Sequence, residues 1–64
     1  MLTQVELYAL EQAAKGVPAK ELAELINVGE SAIELRIARA RRKLGARNTT
    51  HAVVLAIKAG LIAP

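Results

Sequence analysis

The stretch GESAIELRIARARRKLG, Gly29 to Gly45, decides the reading of this chain: it carries five of the nine Lys/Arg residues and has two unlike faces. Turned at about 100° per residue, Ile33, Ile37, Ala40 and Leu44 fall in one narrow apolar stripe. Ser31, Glu34, Leu35, Ala38 and Arg42 lie on the opposite side, with Arg36, Arg39 and Lys43 on one flank and Arg41 on the other. A helix seated by its apolar stripe, with guanidinium groups along its edges, suits insertion between two phosphate backbones. The plainer reading of a charge run is a solvated face of a small bundle. What precedes the stretch weighs against that.

Upstream, Pro18 has no amide hydrogen to lose at a helix start and can open a short helix, with Leu22, Ala23, Leu25 and Ile26 as its buried side. Asn27-Val28-Gly29 then reads as a tight turn: Asn27 tolerates left-handed dihedrals, Val28 plugs the elbow, and Gly29 is a weak N-cap. Two helices joined in this way form a helix-turn-helix over about 18–45. Before it, Thr3 and Glu6 have the spacing of a capping box and Leu2 can staple onto Leu7. Leu7, Leu10 and Ala14 follow at helical spacing with Glu11 and Gln12 outside, until Gly16 stops the helix.

Downstream, Gly45 ends the basic helix and Asn48 is the best cap for a fourth, ahead of Thr49 or Thr50. Its inward stripe is Ala52, Val53, Ala56 and Ile57. Val54 and Leu55 point elsewhere, beside His51 and Lys58, while Leu61 and Ile62 can fold back onto the core after Gly60. The expectation is an all-α, compact four-helix bundle with helices over about 4–15, 19–26, 30–44 and 49–59.

The chain of 64 residues is 53% hydrophobic, enough for one domain over residues 1–64 with one small core. Tyr8 is its only aromatic, so Leu, Ile, Val and Ala must fill that core. No cysteine excludes a disulfide or thiolate site, and no apolar run approaches a membrane span. A cytoplasmic location is expected, associated with the nucleoid when DNA is bound, with no membrane partner. Charge is divided unevenly along the chain. Residues 1–34 hold Lys15 and Lys20 against six glutamates, whereas residues 35–64 hold seven Lys/Arg and no acid. Such a split points to one surface facing a polyanion.

Leu2-Thr3, Glu6, Gly16, Lys20-Glu21-Leu22-Ala23, Lys43-Leu44-Gly45 and Ala52-Val53, Ala56, Gly60-Leu61-Ile62 together resemble the LuxR-type (GerE-like) helix-turn-helix domain, nearly over the whole chain. The resemblance implies a bacterial four-helix DNA-binding domain, with the third helix as recognition helix and the fourth commonly a dimer interface. Arg36, Arg39, Ala40 and Arg41, within Ile33 to Leu44, are also similar to the recognition helix of the fourth region of sigma factors. Departures concentrate where DNA is read. Family members usually have a Ser or Thr cap, Thr-Val-Lys, then a His; here Gly29, Ala32-Ile33-Glu34 and Arg36 stand in those slots. Ala38 replaces a polar or basic residue, Pro18 a capping Ser, and Thr49 a common Arg. The framework therefore matches, and sequence preference is this chain's own.

No enzyme is expected, since His51 is the only histidine, Asp and Cys are absent, and Ser31 has no base near it in sequence. Neither cofactor nor metal is implied: Glu21 and Glu24 alone are a solvated face. On the DNA reading, Ser31, Glu34, Leu35 and Ala38 face the groove floor, where Glu34 could accept from a cytosine amino group and Leu35 or Ala38 touch thymine methyls. Lys20, Arg36, Arg39, Arg42, Lys43 and Arg47 are phosphate candidates, Lys20 aided by the start of its helix. Arg36 could instead pair with a nearby Glu. Val54, Leu55 and Lys58 are candidates for a homodimer contact through the fourth helix. The function expected is sequence-specific binding of double-stranded DNA by a transcription regulator. The alternative is a small protein-interaction module of the same fold that pairs with, or antagonises, RNA polymerase or another regulator.

Overall fold

Local signals of this kind yield four helices in the computed structural model, which describes residues 1–64: α1 (Gln4–Ala14), α2 (Ala19–Leu25), α3 (Glu30–Leu44) and α4 (Thr49–Lys58), with no strand. Helix α3 spans the expected residues and the other three end one residue early. At the start of α1 the capping box is complete. Glu6 N donates to Thr3 Oγ1 at 3.1 Å and Thr3 N donates to Glu6 Oε1 at 3.0 Å, so two backbone donors that helix geometry leaves free are satisfied. Asn48 caps α4 by accepting from His51 N at 2.8 Å. The sharp reversals fall on residues suited to them: Asn27 has φ 58° between α2 and α3, and Gly45 has φ 68° after α3.

Helix α3 is the hub, packed on α1, α2 and α4, while α2 and α4 do not touch each other. Its stripe serves two small cores. Ala40 lies with Leu10, Ala52, Ala56 and Ile62 in one, and Leu44 packs on its edge. Ile33 lies with Leu22 and Ala23 in the other, with Ile37 beside it. In a chain without large aromatics the centre is built from alanines: Ala40, Ala52 and Ala56 are fully buried. Small side chains let helix backbones approach closely, so packing density comes from proximity rather than bulk.

Several side chains depart from their expected places. Leu25 and Ile26 were assigned to the buried side of α2, yet Leu25 is 71% exposed and Ile26 is also exposed. Helix α2 has only seven residues and leans chiefly on α3; nothing covers its far side. Val28 does not plug the elbow and is exposed. On α1, Ala14 is exposed in the last turn, while Ala9, off the expected stripe, is buried. Because α1 packs on both α3 and α4, its inward face is wider than a single stripe. Ile62 folds back into the core as expected, but its neighbour Leu61 stays exposed. No helix is long and apolar enough to cross a membrane.

Candidate nucleic-acid interface

Seating α3 by Ile33, Ile37, Ala40 and Leu44 turns its opposite side outward. Ser31, Glu34, Leu35 and Arg42 are exposed there and Ala38 is half-buried, so all the residues assigned to the groove floor lie along one accessible side. At about 1.5 Å per residue the 15 residues of α3 make a rod long enough to lie along a major groove.

The two flanks of this rod meet different neighbours. On one, Glu34, Ile37, Ala38 and Arg41 join Ala19 from the start of α2 and Thr49 from the start of α4 around a cleft of about 300 Å³. The cleft exists because α2 and α4 both pack on α3 without meeting. Lys20, next to Ala19 in the first turn of α2, is exposed and does not line the cleft. Glu34 makes no ion pair here, since the one ion pair of the chain lies elsewhere. Arg41 was not assigned a phosphate role from sequence, yet it shares the cleft with Glu34. The signal was their spacing of seven residues, which returns a helix to nearly the same flank.

On the other flank Arg36, Arg39, Arg42 and Lys43 meet Thr3 and Glu6 of the α1 start around a depression of about 340 Å³ with no apolar residue in its lining. Lys43, a phosphate candidate from sequence, already has a carboxylate partner. Its Nζ donates to Glu6 Oε1 at 2.8 Å and to the Met1 carbonyl at 3.2 Å. The Glu6 residue is only 1% exposed. The Lys43 ammonium, and after it the Thr3 N–H, hold the Glu6 carboxyl below the ordinary carboxylate range, overcoming the desolvation that pushes the other way. Glu6 was read only as a cap. Its second role was legible in one respect: it stands four residues before Leu10, on the same inward face of α1.

Arg36 forms no pair with any glutamate, and Arg47 is exposed in the turn before α4 with its N–H donating to His51 Nδ1 at 3.1 Å. His51 is thereby part of the turn that Asn48 caps. No three His, Cys, Asp or Glu side chains cluster so as to hold a metal ion. On α4, Val54 is 42% exposed, Leu55 half-buried and Lys58 exposed.

Residues 1–56 match the family described as "Bacterial regulatory proteins, luxR family". The chain is 41% identical over 63 residues to the "Transcriptional activator protein BjaR1" of Bradyrhizobium diazoefficiens, covering 98% of this chain and 26% of that protein. It is 39% identical over 64 residues to the "Transcriptional activator protein VanR" of Vibrio anguillarum, covering 100% of this chain and 27% of that protein. A third relative, the "Uncharacterized transcriptional regulatory protein YxjL" of Bacillus subtilis, is 37% identical over 60 residues, covering 94% of this chain and 28% of the relative. The chain thus spans between 26% and 28% of the length of these curated relatives. No solved structure matches it.

Proposed function

The chain belongs to the luxR family of bacterial regulatory proteins, and from that premise we propose that it binds double-stranded DNA as the DNA-binding domain of a transcription regulator. Helix α3 lies in the major groove, with Ser31, Glu34, Leu35 and Ala38 toward the bases and Lys20, Arg39, Arg42 and Arg47 toward phosphates. The observation that carries this reading is the run of cations along an outward-facing α3, of which Lys43 alone has a carboxylate partner. Family membership supports a non-enzymatic role.

A mobility shift on random duplex at low and moderate salt tests it. With about four phosphates neutralised, log K falls against log salt with a slope of roughly −3 to −4. Arg39→Ala and Arg42→Ala each weaken binding to all sequences alike and lower that slope by roughly one. Absence of binding to any duplex at low salt refutes the reading.

A partner surface on α4 extends the same proposal. Val54 is an exposed apolar residue off the inward stripe, with Leu55 and Lys58 beside it. A two-fold contact there would set two copies of α3 on adjacent half-sites. One observation favours the alternative of a protein-interaction module that engages polymerase or another regulator: Glu34, unpaired on the reading side, meets the negative potential of two phosphate backbones. The same mobility shift decides between them.

A further inference from the structure

Helix α2 ends in an apolar patch that neither core uses. Leu25 is 71% exposed, Ile26 41% and Val28 45%, and none of them packs into either hydrophobic cluster. The chain folds back at this point. Asn27 takes the left-handed conformation and Val28 N donates to the Ala23 carbonyl at 2.9 Å, which returns Val28 to the last turn of α2. Three of the nine exposed large hydrophobic residues of the chain are thereby gathered in one place. Exposed glutamates border them: Glu21 stands four residues before Leu25, Glu24 is next to it, and Glu30 opens α3 beyond the turn. From residue 21 to residue 35 the chain has four glutamates and no lysine or arginine.

Ordinary explanations cover only part of this. Apolar residues scattered singly on a surface need no reason, whereas a cluster marks a contact. A hydrophobic residue just past a helix commonly packs back on its end, which accounts for the residue type at Val28 and not for Leu25. Acids in a first turn complement the helix dipole, which suits Glu21 in α2 and Glu30 in α3. Glu24 lies in the last turn of α2, where the same dipole repels it. Lys20, one turn before, forms no ion pair with it. An acid at the unfavourable end of a helix, unpaired and beside an exposed leucine, suits a cation brought from outside the chain.

We infer that the end of α2 and the turn after it form a docking surface for a basic amphipathic helix of another protein. Leu25, Ile26 and Val28 meet the apolar stripe of that helix, and Glu21, Glu24 and Glu30 meet the lysines or arginines along its edges. Charge complementarity fixes the sign of the partner, and the fold fixes its form. An added strand needs a sheet edge, and the chain has no strand; a proline-rich segment needs an aromatic-lined groove, and the only aromatic is Tyr8 on α1. A helix laid against the end of a short helix needs neither. The patch is small, so the encounter is transient. Its acids repel the DNA backbone, so DNA and this partner occupy the domain together. The inference thus differs from the reading in which a protein replaces DNA on the Glu34 side, and it does not depend on DNA binding.

The test uses the 64-residue chain and two synthetic amphipathic helices, one built of leucine and lysine and one in which glutamate replaces lysine. Backbone amide resonances are followed by NMR as each peptide is added, and circular dichroism confirms that every variant keeps its helices. The lysine peptide is expected to give saturable shifts centred on residues 21–30, and the glutamate peptide none. Binding should be about tenfold weaker in Leu25→Ser, as loss of a central apolar contact implies. It should be about threefold weaker in Glu24→Gln at low salt, the scale of one exposed charge pair. Tyr8→Ser and Glu11→Gln, the same kinds of change on α1, leave it alone, and duplex affinity is unchanged in Leu25→Ser. The proposal is overturned if the shifts centre elsewhere, if both peptides bind alike, or if the α1 variants weaken binding as much as the α2 variants. It is also overturned if Leu25→Ser weakens duplex binding, which turns the patch toward DNA, or abolishes self-association of the chain in sedimentation, which gives the patch to a second copy. A wild-type chain that binds no duplex removes the DNA-binding proposal, while the peptide titration still decides this surface.

Discussion

The two flanks of α3 belong to one helix and carry arginines alike, but they have become different surfaces. Beside α2 and α4, Arg41 shares a cleft with the unpaired Glu34 and the small residues Ala19 and Ala38. Beside α1, Arg36, Arg39 and Arg42 surround a depression whose only acid is bound by Lys43. The lesson is that basic residues on a helix have no fixed role. The neighbouring element decides whether a cation is neutralised, left beside an acid, or free for a polyanion.

The largest effect comes from removing the seat that creates both flanks. Leu10 is fully buried against Ala40, Ala52 and Ala56, and Leu10→Ala should cost about 2–5 kcal/mol, much of the stability of a domain this small. Urea unfolding should show the loss and duplex affinity should fall with it. If affinity persists at full strength in a destabilised variant, the arginines act without a folded scaffold and the contrast between flanks is void.

Next is the acid on the cleft side. Glu34→Lys should raise affinity for random duplex and steepen the salt dependence by roughly one, with a smaller gain for Glu34→Gln. If Glu34 reads a cytosine, a good base contact is worth about 1–3 kcal/mol, and one sequence should lose affinity on either change. Unaltered affinity for every sequence would mean that this flank stays out of the groove, moving the protein-interaction reading to first place.

The acid on the α1 side gives a pH signature instead. The folded-state pKa of Glu6 is lowered, so its stabilisation is present above the unfolded-state value and is lost as pH falls through the folded one. Melting temperature should therefore drop as the pH is taken down through and below the ordinary carboxylate range. Glu6→Gln keeps a residue able to close the capping box but removes the ion pair, and its melting curve should lack that component. Identical pH profiles for both chains would show that the Lys43 contact contributes nothing.

The smallest effect lies away from both flanks. Val54→Glu, at an exposed position of α4, should change stability by no more than about 0.5 kcal/mol while weakening any self-association of the domain on DNA. Sedimentation with and without duplex measures this. Monomeric behaviour of both proteins, bound and free, removes the α4 contact.

The backbone of this protein was nearly all legible in its sequence, for a local reason. Helix starts at Thr3 and Asn48, the reversals at Asn27 and Gly45, and the stripe of α3 are fixed by groups within a few residues of one another. The line of candidate readers from Ser31 to Ala38 followed from that stripe alone. Side-chain surroundings were less legible. Leu25 has the chemistry of a core residue and is exposed, because the short α2 leans chiefly on α3 and nothing covers its far side. The cleft beside Glu34 and Arg41 depends on α2 and α4 packing on α3 without touching, which no pattern within a helix encodes. Lys43 shows the limit most clearly. From sequence it was one more cation on a basic face; its carboxylate stands 37 residues away, on a helix start whose cap was read correctly. Caps and stripes act over one or two turns and so belong to the sequence. The charge that a side chain finally faces is set by which distant element is folded against it, and only the tertiary structure decided that.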